Sequence, residues 1–156
     1  MKGFFIVSAV LTAMLTFVSC DKYEDGRPDK SIRNDFNEKY PDAWDVEWER
    51  EGTYWVVSFE TGKRPDGIDH EVWYTLEGEW VMSKTDVPLS DVPQNIKDYL
   101  SADPTYGTAQ FEDLDAEYIE KPSGNFYRFD LRLAGREVEV DVTESGEVTT
   151  AQYDIW

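Results

Sequence analysis

The sequence predicts an α+β fold made of two tandem repeats, each with a helix packed on one face of an antiparallel sheet. Two stretches carry apolar residues at every fourth position, which is the spacing of a buried helix stripe. The stretches that follow each of them alternate apolar and polar residues, which is the period of a half-buried strand. Because this order of helix and strands occurs twice, a repeated unit is expected.

The first helix is expected directly after Asp29, which can cap it, and Pro41 should stop it. Its buried stripe should comprise Ile32, Phe36 and Tyr40. Four strands should follow, interrupted by a loop at residues 61–67 and a tight Glu-Gly turn at residues 77–78. These strands are predicted at residues 44–48, 54–60, 70–76 and 79–84.

The second helix is expected within residues 86–100, with Pro93 in its first turn. Its buried stripe should comprise Val92, Ile96 and Leu100. Residues 101–107 interrupt the helical pattern, and further strand-like runs follow. These runs cover residues 108–114, 116–120, 125–133, 137–143 and 147–153.

Two of the later strand runs echo earlier ones. The stretch "FYRFDLR" at residues 126–132 echoes "YWVVSFE" at residues 54–60. The stretch "EVEVDVTESGEV", which begins at Glu137, echoes "EVWYTLEGEW", which begins at Glu71. An internal duplication with loops of different length accounts for both echoes. The two repeats would then span residues 30–88 and 89–156.

Residues 1–19 have the pattern of a secretory signal peptide, with Lys2 before an uncharged apolar run at residues 4–17. This run is shorter than the roughly 20 residues that a membrane-spanning helix needs. The closing "FVSC" resembles bacterial lipoprotein signals, whose cysteine is lipidated and becomes the first residue of the mature chain. The resemblance implies that Cys20, the only cysteine, carries a lipid anchor. An ordinary signal peptide with an incidental cysteine is the alternative.

Residues 20–29 should form an acidic tether, because they are polar and contain Gly26 and Pro28. The tether also resembles the acidic export tag of lipoproteins that Bacteroidetes send to the cell surface. Together, these resemblances imply a protein anchored by lipid in the bacterial outer membrane, either periplasmic or surface-exposed.

The chain is strongly acidic, with 33 Asp and Glu against 15 Lys and Arg and a formal net charge of −18. Such a surface repels nucleic acid and anionic lipid, so we expect no nucleic-acid partner and membrane contact through the lipid anchor alone. It favours basic proteins or divalent cations, although acidic charge can also serve solubility alone. An aromatic content of 15% argues against a disordered chain.

Three stretches of the first repeat carry a family resemblance: "FNEKYPDA", "YWVVSFE" and "VWYTLEGEW". They are similar to the PepSY-like, β-lactamase-inhibitor-like lipoproteins of Bacteroidetes, and the similarity extends over nearly all of residues 30–156. The resemblance implies two PepSY-like repeats and a role in binding another protein. Secreted β-lactamase inhibitors are braced by disulfides. This chain differs from them, because with one cysteine it can form no disulfide within itself.

The echoes also assign the two faces of the sheet. Tyr127, Phe129 and Leu131 alternate with Arg128 and Asp130, so the apolar set should face the helix. The corresponding inward residues elsewhere are Trp55, Val57, Phe59, Val72, Tyr74, Leu76, Val138, Val140 and Val142. The opposite face, called the open face below, should then be acidic with aromatic residues embedded in it.

We expect the open face to bind another envelope or extracellular protein that carries basic residues. Whether such binding inhibits the partner stays open at this point. Exposed Trp and Tyr are favoured binding anchors, so Trp73 and Tyr54 would insert while carboxylates steer the partner. The residues expected at this contact are Trp73, Tyr54, Glu71, Phe126, Arg128 and Glu139. The alternative is that a loop covers Trp73 or that it stacks on cross-strand neighbours.

Residue types for catalysis are scarce. The sequence has one histidine, His70, so neither a Ser/His/Asp nor a Cys/His set can be assembled without it. We therefore expect no catalytic residues, no cofactor and no zinc site. A calcium- or small-ligand-binding sensor is the alternative function, and "EDLDAE" at residues 112–117 is the densest group of carboxylates.

Overall fold

The protein is described here by a computed structural model that covers residues 26–151. Within this range the helices are α1 (Lys30–Lys39) and α2 (Gln94–Ala102). The strands are β1 (Trp44–Glu51), β2 (Tyr54–Thr61), β3 (Ile68–Thr75), β4 (Trp80–Pro88), β5 (Gln110–Phe111), β6 (Asp115–Glu120), β7 (Phe126–Leu133), β8 (Arg136–Thr143) and β9 (Val148–Thr150). These strands form a single sheet in which every pairing is antiparallel, which confirms the predicted α+β class.

The strand order of this sheet is β1-β2-β3-β4-β6-β7-β8-β9, and β5 also pairs with β7. Neighbours in sequence are mostly neighbours in space, as expected for hairpin connections. The ladder between β4 and β6 joins the two halves of the chain, from Ser83 opposite Glu120 to Pro88 opposite Asp115. The predicted repeats therefore share one continuous sheet, and their origin by duplication stays a prediction.

Both helices pack on the same face of this sheet, each over its own half. The first core lies under α1 and contains Ile32, Phe36, Trp48, Trp55, Val57, Phe59, Val72 and Tyr74. The second core lies under α2 and contains Val92, Ile96, Leu100, Ala116, Phe129, Leu131, Val140 and Val142. The alternation of the strands thus places the inward residues as the sequence predicts.

Two hairpin turns have matching hydrogen bonds. The Thr75 amide donates to the Glu79 carbonyl over 2.8 Å, and the Thr143 amide donates to the Glu147 carbonyl over 2.9 Å. In each turn the threonine hydroxyl also accepts a backbone N–H, from Glu79 and Glu147 respectively. The third turn residue is a glycine with φ near +90° in both cases. This conformation favours glycine over residues that carry a Cβ.

Each of these glycines also lies against its helix. A Cβ at Gly78 would come within 3.0 Å of the Ile32 side chain on α1, and one at Gly146 within 2.9 Å of the Tyr99 ring on α2. The turns therefore set how closely each helix approaches its half of the sheet.

Several element ends differ from the sequence prediction. Asp29 occupies the N-cap position of α1, but its side chain makes no capping hydrogen bond there. Pro93 precedes α2 as its N-cap, and β4 extends to Pro88 because its ladder with β6 continues that far. The strand predicted at residues 108–114 is limited to β5, and the one predicted from residue 147 is limited to β9 within the described range.

The aromatic packing around Phe36 should dominate the stability of the first core. Its ring lies 5.4 Å from the rings of Tyr40 and Trp48 and 5.0 Å from that of Phe59, and the residue is almost fully buried. We expect Phe36→Ala to lower the free energy of unfolding by about 3–5 kcal/mol, because it removes these contacts and leaves a cavity. Urea unfolding measures this change. Phe111→Ala is the control, since Phe111 is 43% exposed and should cost far less. Equal losses would contradict the assignment of the core.

Candidate protein-binding face

The strand register places the six predicted contact residues on the open face, opposite both helices. Val56 pairs with Trp73, and Trp73 pairs with Met82 on the next strand. Further along the sheet, Ile119 pairs with Phe126 and Glu117 pairs with Arg128. Tyr54, Glu71 and Glu139 share this face by alternation along β2, β3 and β8. The face assignment made from the sequence therefore agrees with the structure.

Trp73 itself is buried, with 3% of its surface exposed. It belongs to an apolar group, called the open-face cluster below, whose buried members are Val56, Trp73, Met82 and Ile119. The Lys84 ammonium lies 5.4 Å from the centre of its ring. The expectation that Trp73 stands exposed is therefore corrected: it packs with its cross-strand neighbours, because a large indole on a sheet face covers the adjacent strands.

The accessible aromatic surface is provided by residues around this cluster. Tyr54 and Phe126 are half-buried and pack against its buried members. The Lys121 ammonium and the Arg128 guanidinium each lie 5.7 Å from the centre of the Phe126 ring. The open face thus exposes parts of the Tyr54 and Phe126 rings, while Trp73 packs beneath them.

Arg128 and Glu139 are engaged within the sheet. The Arg128 side chain is 10% exposed, and its guanidinium donates two hydrogen bonds to the Asp141 carboxylate, over 2.8 and 3.1 Å. Its third nitrogen lies 4.0 Å from a Glu139 oxygen. Such a bidentate pair fixes the geometry of both side chains. Arg128 therefore neutralises carboxylates of the open face.

A group of carboxylates surrounds Lys84 in the middle of the open face. The Lys84 ammonium lies 3.4 Å from a Glu117 oxygen. A cavity of about 170 Å³ is lined here by Asp69, His70, Glu71, Lys84, Asp86 and Glu117. Burial raises the pKa of Asp86 to about 6, and the nearby charges of Asp115 and Glu117 add to this shift. Burial also raises the pKa of Glu71, although the positive charge of Lys84 opposes it.

Sequence reasoning missed Lys84, Asp86 and Glu117 as members of this face. The prediction ended the fourth strand at Lys84, so Asp86 was assigned to the helical stretch that follows. Lys84, Asp86 and Pro88 share one side of β4, which the structure continues to Pro88. The alternation of "KTDVP" was the available signal.

A second acidic cleft lies toward the other end of the open face, with a volume of about 820 Å³. Its lining includes the carboxylates of Glu112, Asp113, Asp130, Glu137 and Glu139. Burial raises the pKa of Asp130, and the charges of Glu139 and Asp113 raise it further. The Arg132 guanidinium donates to both oxygens of Glu112 and also to Glu137, over 3.4 Å.

His70 has a structural environment. Its two ring nitrogens lie 2.8 Å from the Thr61 hydroxyl and 2.9 Å from the Thr85 hydroxyl. The ring stacks on Phe59 at 4.9 Å, on the side of the sheet that carries the helices. Within residues 26–151, no group of three or more His, Cys, Asp or Glu side chains is arranged to hold a metal ion. The calcium alternative therefore gains no support from this part of the chain.

The proposed lipidation site, Cys20, and the signal peptide lie outside the described residues. Between residues 26 and 151, neither helix has the length and the apolar character that crossing a membrane requires.

Comparison with known proteins gives one family and several similar structures. The family described as "Putative beta-lactamase-inhibitor-like, PepSY-like" matches residues 53–150. Among curated proteins, none matches the chain significantly.

Several similar solved structures come from Bacteroides species. A BLIP-like protein from Bacteroides fragilis has a TM-score of 0.69 and 20% identity over 84% of this chain and 94% of its own. A DUF2874 family protein from Bacteroides ovatus has a TM-score of 0.66 and 20% identity over 83% of this chain and 93% of its own. A third structure comes from Bacteroides eggerthii and is described by the words "putative periplasmic proteins". It has a TM-score of 0.65 and 23% identity over 79% of this chain and 86% of its own. These likenesses show that the folds agree.

Asp86 should make stability depend on pH. Its folded-state pKa lies near 6, above the ordinary value of 3.8, so the folded protein holds its proton more tightly than the unfolded chain does. The free energy of unfolding should therefore fall as pH rises from about 4 to 6. We expect Asp86→Asn to raise Tm by a few degrees at pH 7 and to change it little at pH 4.

Thermal unfolding monitored by circular dichroism across this pH range is the measurement. The exposed turn residue Asp42 supplies the control, and Asp42→Asn should leave the pH profile unchanged. An Asp86→Asn protein that is less stable than the parent at pH 7 would contradict the buried-charge assignment.

Proposed function

Because the chain belongs to the PepSY-like, β-lactamase-inhibitor-like family, we propose that it is a non-catalytic binding protein of the bacterial cell envelope. Its partner is another protein with a basic surface, and the open face of the sheet is the contact. The observation that carries this proposal is the composition of that face: half-buried aromatic residues lie among carboxylates, on the side away from both helices.

The electrostatics of the open face favour a cationic partner. Asp86, Glu71 and Asp130 have raised pKa values because burial and neighbouring negative charges make their ionised forms costly. Lysine or arginine side chains brought into the face would relieve this repulsion, and the general field of an acidic chain would speed their approach. We therefore expect the affinity for the partner to fall strongly as the salt concentration rises.

The apolar part of the contact would come from the rim of the open-face cluster. Tyr54 and Phe126 are half-buried, so each can lose further surface on binding. Trp73 supports them from below and needs no exposure of its own to do so. A partner enzyme whose active site fell within this contact would be inhibited, which is the role that the family description suggests.

The sequence of residues 1–29 supports a second proposal, on the place of the protein in the cell. We propose that Cys20 is lipidated and that residues 20–29 tether the folded domain to the outer membrane. The "FVSC" pattern after an apolar run supports this proposal, as does the similarity to a Bacteroides protein described as periplasmic. A two- or three-chain lipid anchor holds a domain stably, because each buried methylene contributes about 0.8 kcal/mol.

Charge reversal on the open face tests the binding proposal. Glu49 and Asp69 are exposed, and their strand partners Val56 and Glu60 place them on the open face. We expect Glu49→Lys with Asp69→Lys to weaken binding of the captured partner at least about tenfold, because the field that attracts basic residues is reversed. Partners would be captured from envelope extract on residues 21–156, purified, and titrated by isothermal calorimetry at low salt and at about 0.5 M salt.

The matched control reverses two exposed carboxylates on the helices, Glu38 on α1 and Asp98 on α2. Glu38→Lys with Asp98→Lys changes the net charge equally and should leave affinity within about twofold. If both double variants weaken binding alike, net charge alone governs the association. If neither does, the open face is not the contact.

The anchor can be tested separately from the binding. Metabolic labelling with a radioactive or alkyne-tagged fatty acid should mark the wild-type protein, and Cys20→Ser should abolish both the label and retention in the membrane fraction. Ser19→Ala is the control, since it keeps a small residue before the cysteine. A labelled Cys20→Ser protein, or an unlabelled wild type that is nonetheless exported, would overturn the lipoprotein assignment.

A further inference from the structure

Along one of its edges, strand β7 pairs with two separate strands, β5 and β6, and the chain bulges between them. Phe111 of β5 pairs with Leu131, and Glu117 of β6 pairs with Arg128. Two residues of β7 lie between these pairs, whereas residues 112–116 lie between them on the opposite side. Asp115 and Ala116 belong to β6 and pair with β4, so the chain departs from β7 as a bulge at residues 112–114. Bulges often redirect a side chain toward a binding surface.

The bulge is fixed at several points. The Glu112 amide donates to the Asp130 carbonyl, and the Leu114 carbonyl accepts the Leu89 amide, both over 2.9 Å. The Glu112 carboxylate accepts two hydrogen bonds from the Arg132 guanidinium. Backbone and side-chain contacts thus hold both ends of this short segment, so it is displayed in one conformation.

Leu114 stands at the top of this fixed segment with 88% of its surface exposed. The other exposed large hydrophobic residues of the described range, Ile68, Tyr99 and Phe111, are exposed by only 44, 38 and 43%. Single exposed leucines are common on protein surfaces. Leu114 differs from these residues because its side chain is almost fully exposed while its own backbone carbonyl accepts a hydrogen bond.

The surroundings of Leu114 are acidic. Glu112, Asp113 and Asp115 flank it in sequence, and the first two line the larger cleft of the open face. An apolar residue inside a ring of carboxylates complements an apolar pocket inside a ring of lysine and arginine side chains. A second copy of this strongly acidic chain would instead be repelled.

We propose that Leu114 is the apolar anchor of the partner contact, and that it enters an apolar pocket rimmed by basic residues on the partner protein. This inference rests on the proposed function and adds a second contact region, next to the larger acidic cleft that Glu112 and Asp113 line. An anchor that is held in place before binding loses little conformational entropy when the partner binds. Its truncation should therefore lower the affinity by the whole contribution of the buried side chain.

Site-specific photocrosslinking in cells that naturally produce the full-length protein tests this proposal. The photoreactive residue benzoylphenylalanine would replace Leu114 in one strain and Ile68, at the start of β3, in the control strain. Sequencing of the crosslinked peptide should identify an apolar residue of the partner with lysine or arginine close to it. The crosslink should form from position 114 and be absent or far weaker from position 68.

Affinity measurements with the purified crosslinked partner complete the test. We expect Leu114→Ala to raise Kd by about tenfold or more, and Ile68→Ala to change it by less than about twofold. Because Leu114 makes little contact within its own chain, both variants should keep the parent's Tm, which excludes misfolding as a cause.

The proposal is overturned by equal crosslinking from both positions, by no crosslink from position 114, by a crosslink to another copy of this chain, or by a partner site without basic residues. An unchanged Kd for Leu114→Ala would overturn it as well. The two proposals can fail separately. A partner whose binding is lost on charge reversal at Glu49 and Asp69 but kept in Leu114→Ala would support the open face and reject this anchor, whereas binding unchanged by the charge reversal would reject the open face itself.

Discussion

Side chains alternate between the two faces of every strand, and in this sheet both helices occupy the same face. That constraint determines which residues of each strand lie on which face of the sheet. Apolar residues at one parity form two cores under α1 and α2, and the charge of an acidic chain accumulates at the other parity. The open face therefore has its composition because the opposite face is filled, and binding chemistry can develop there without disturbing the packing that stabilises the fold.

The open face is nevertheless more than a solvated surface. Val56, Trp73, Met82 and Ile119 form an apolar cluster on it, and the carboxylates nearby lose part of their hydration. Lys84 and Arg128 stand among these carboxylates and offset part of the repulsion. The remaining negative charge is what a basic partner would neutralise, so the same desolvation that lowers stability would contribute to the proposed recognition.

The sequence predicts those features that depend on period alone: two helices, the alternating strands and the parity of each residue. It fails where the outcome depends on neighbours across the sheet. Trp73 is buried because Val56 and Met82 flank it, and Arg128 is engaged because the register brings it opposite Asp141. The alternation predicts the bulge at residues 112–114 as the end of an ordinary strand, since only the register of β7 reveals the surplus residues.

The presence of two cores has a consequence for local unfolding of the molecule. Each core combines one helix with its own strands, and the six residue pairs of the β4–β6 ladder carry the sheet from one core to the other. Opening of one half would also disturb the open-face cluster, because Ile119 of β6 packs there with residues of β2, β3 and β4. Slow amide exchange should therefore couple the two halves, although each has a core of its own.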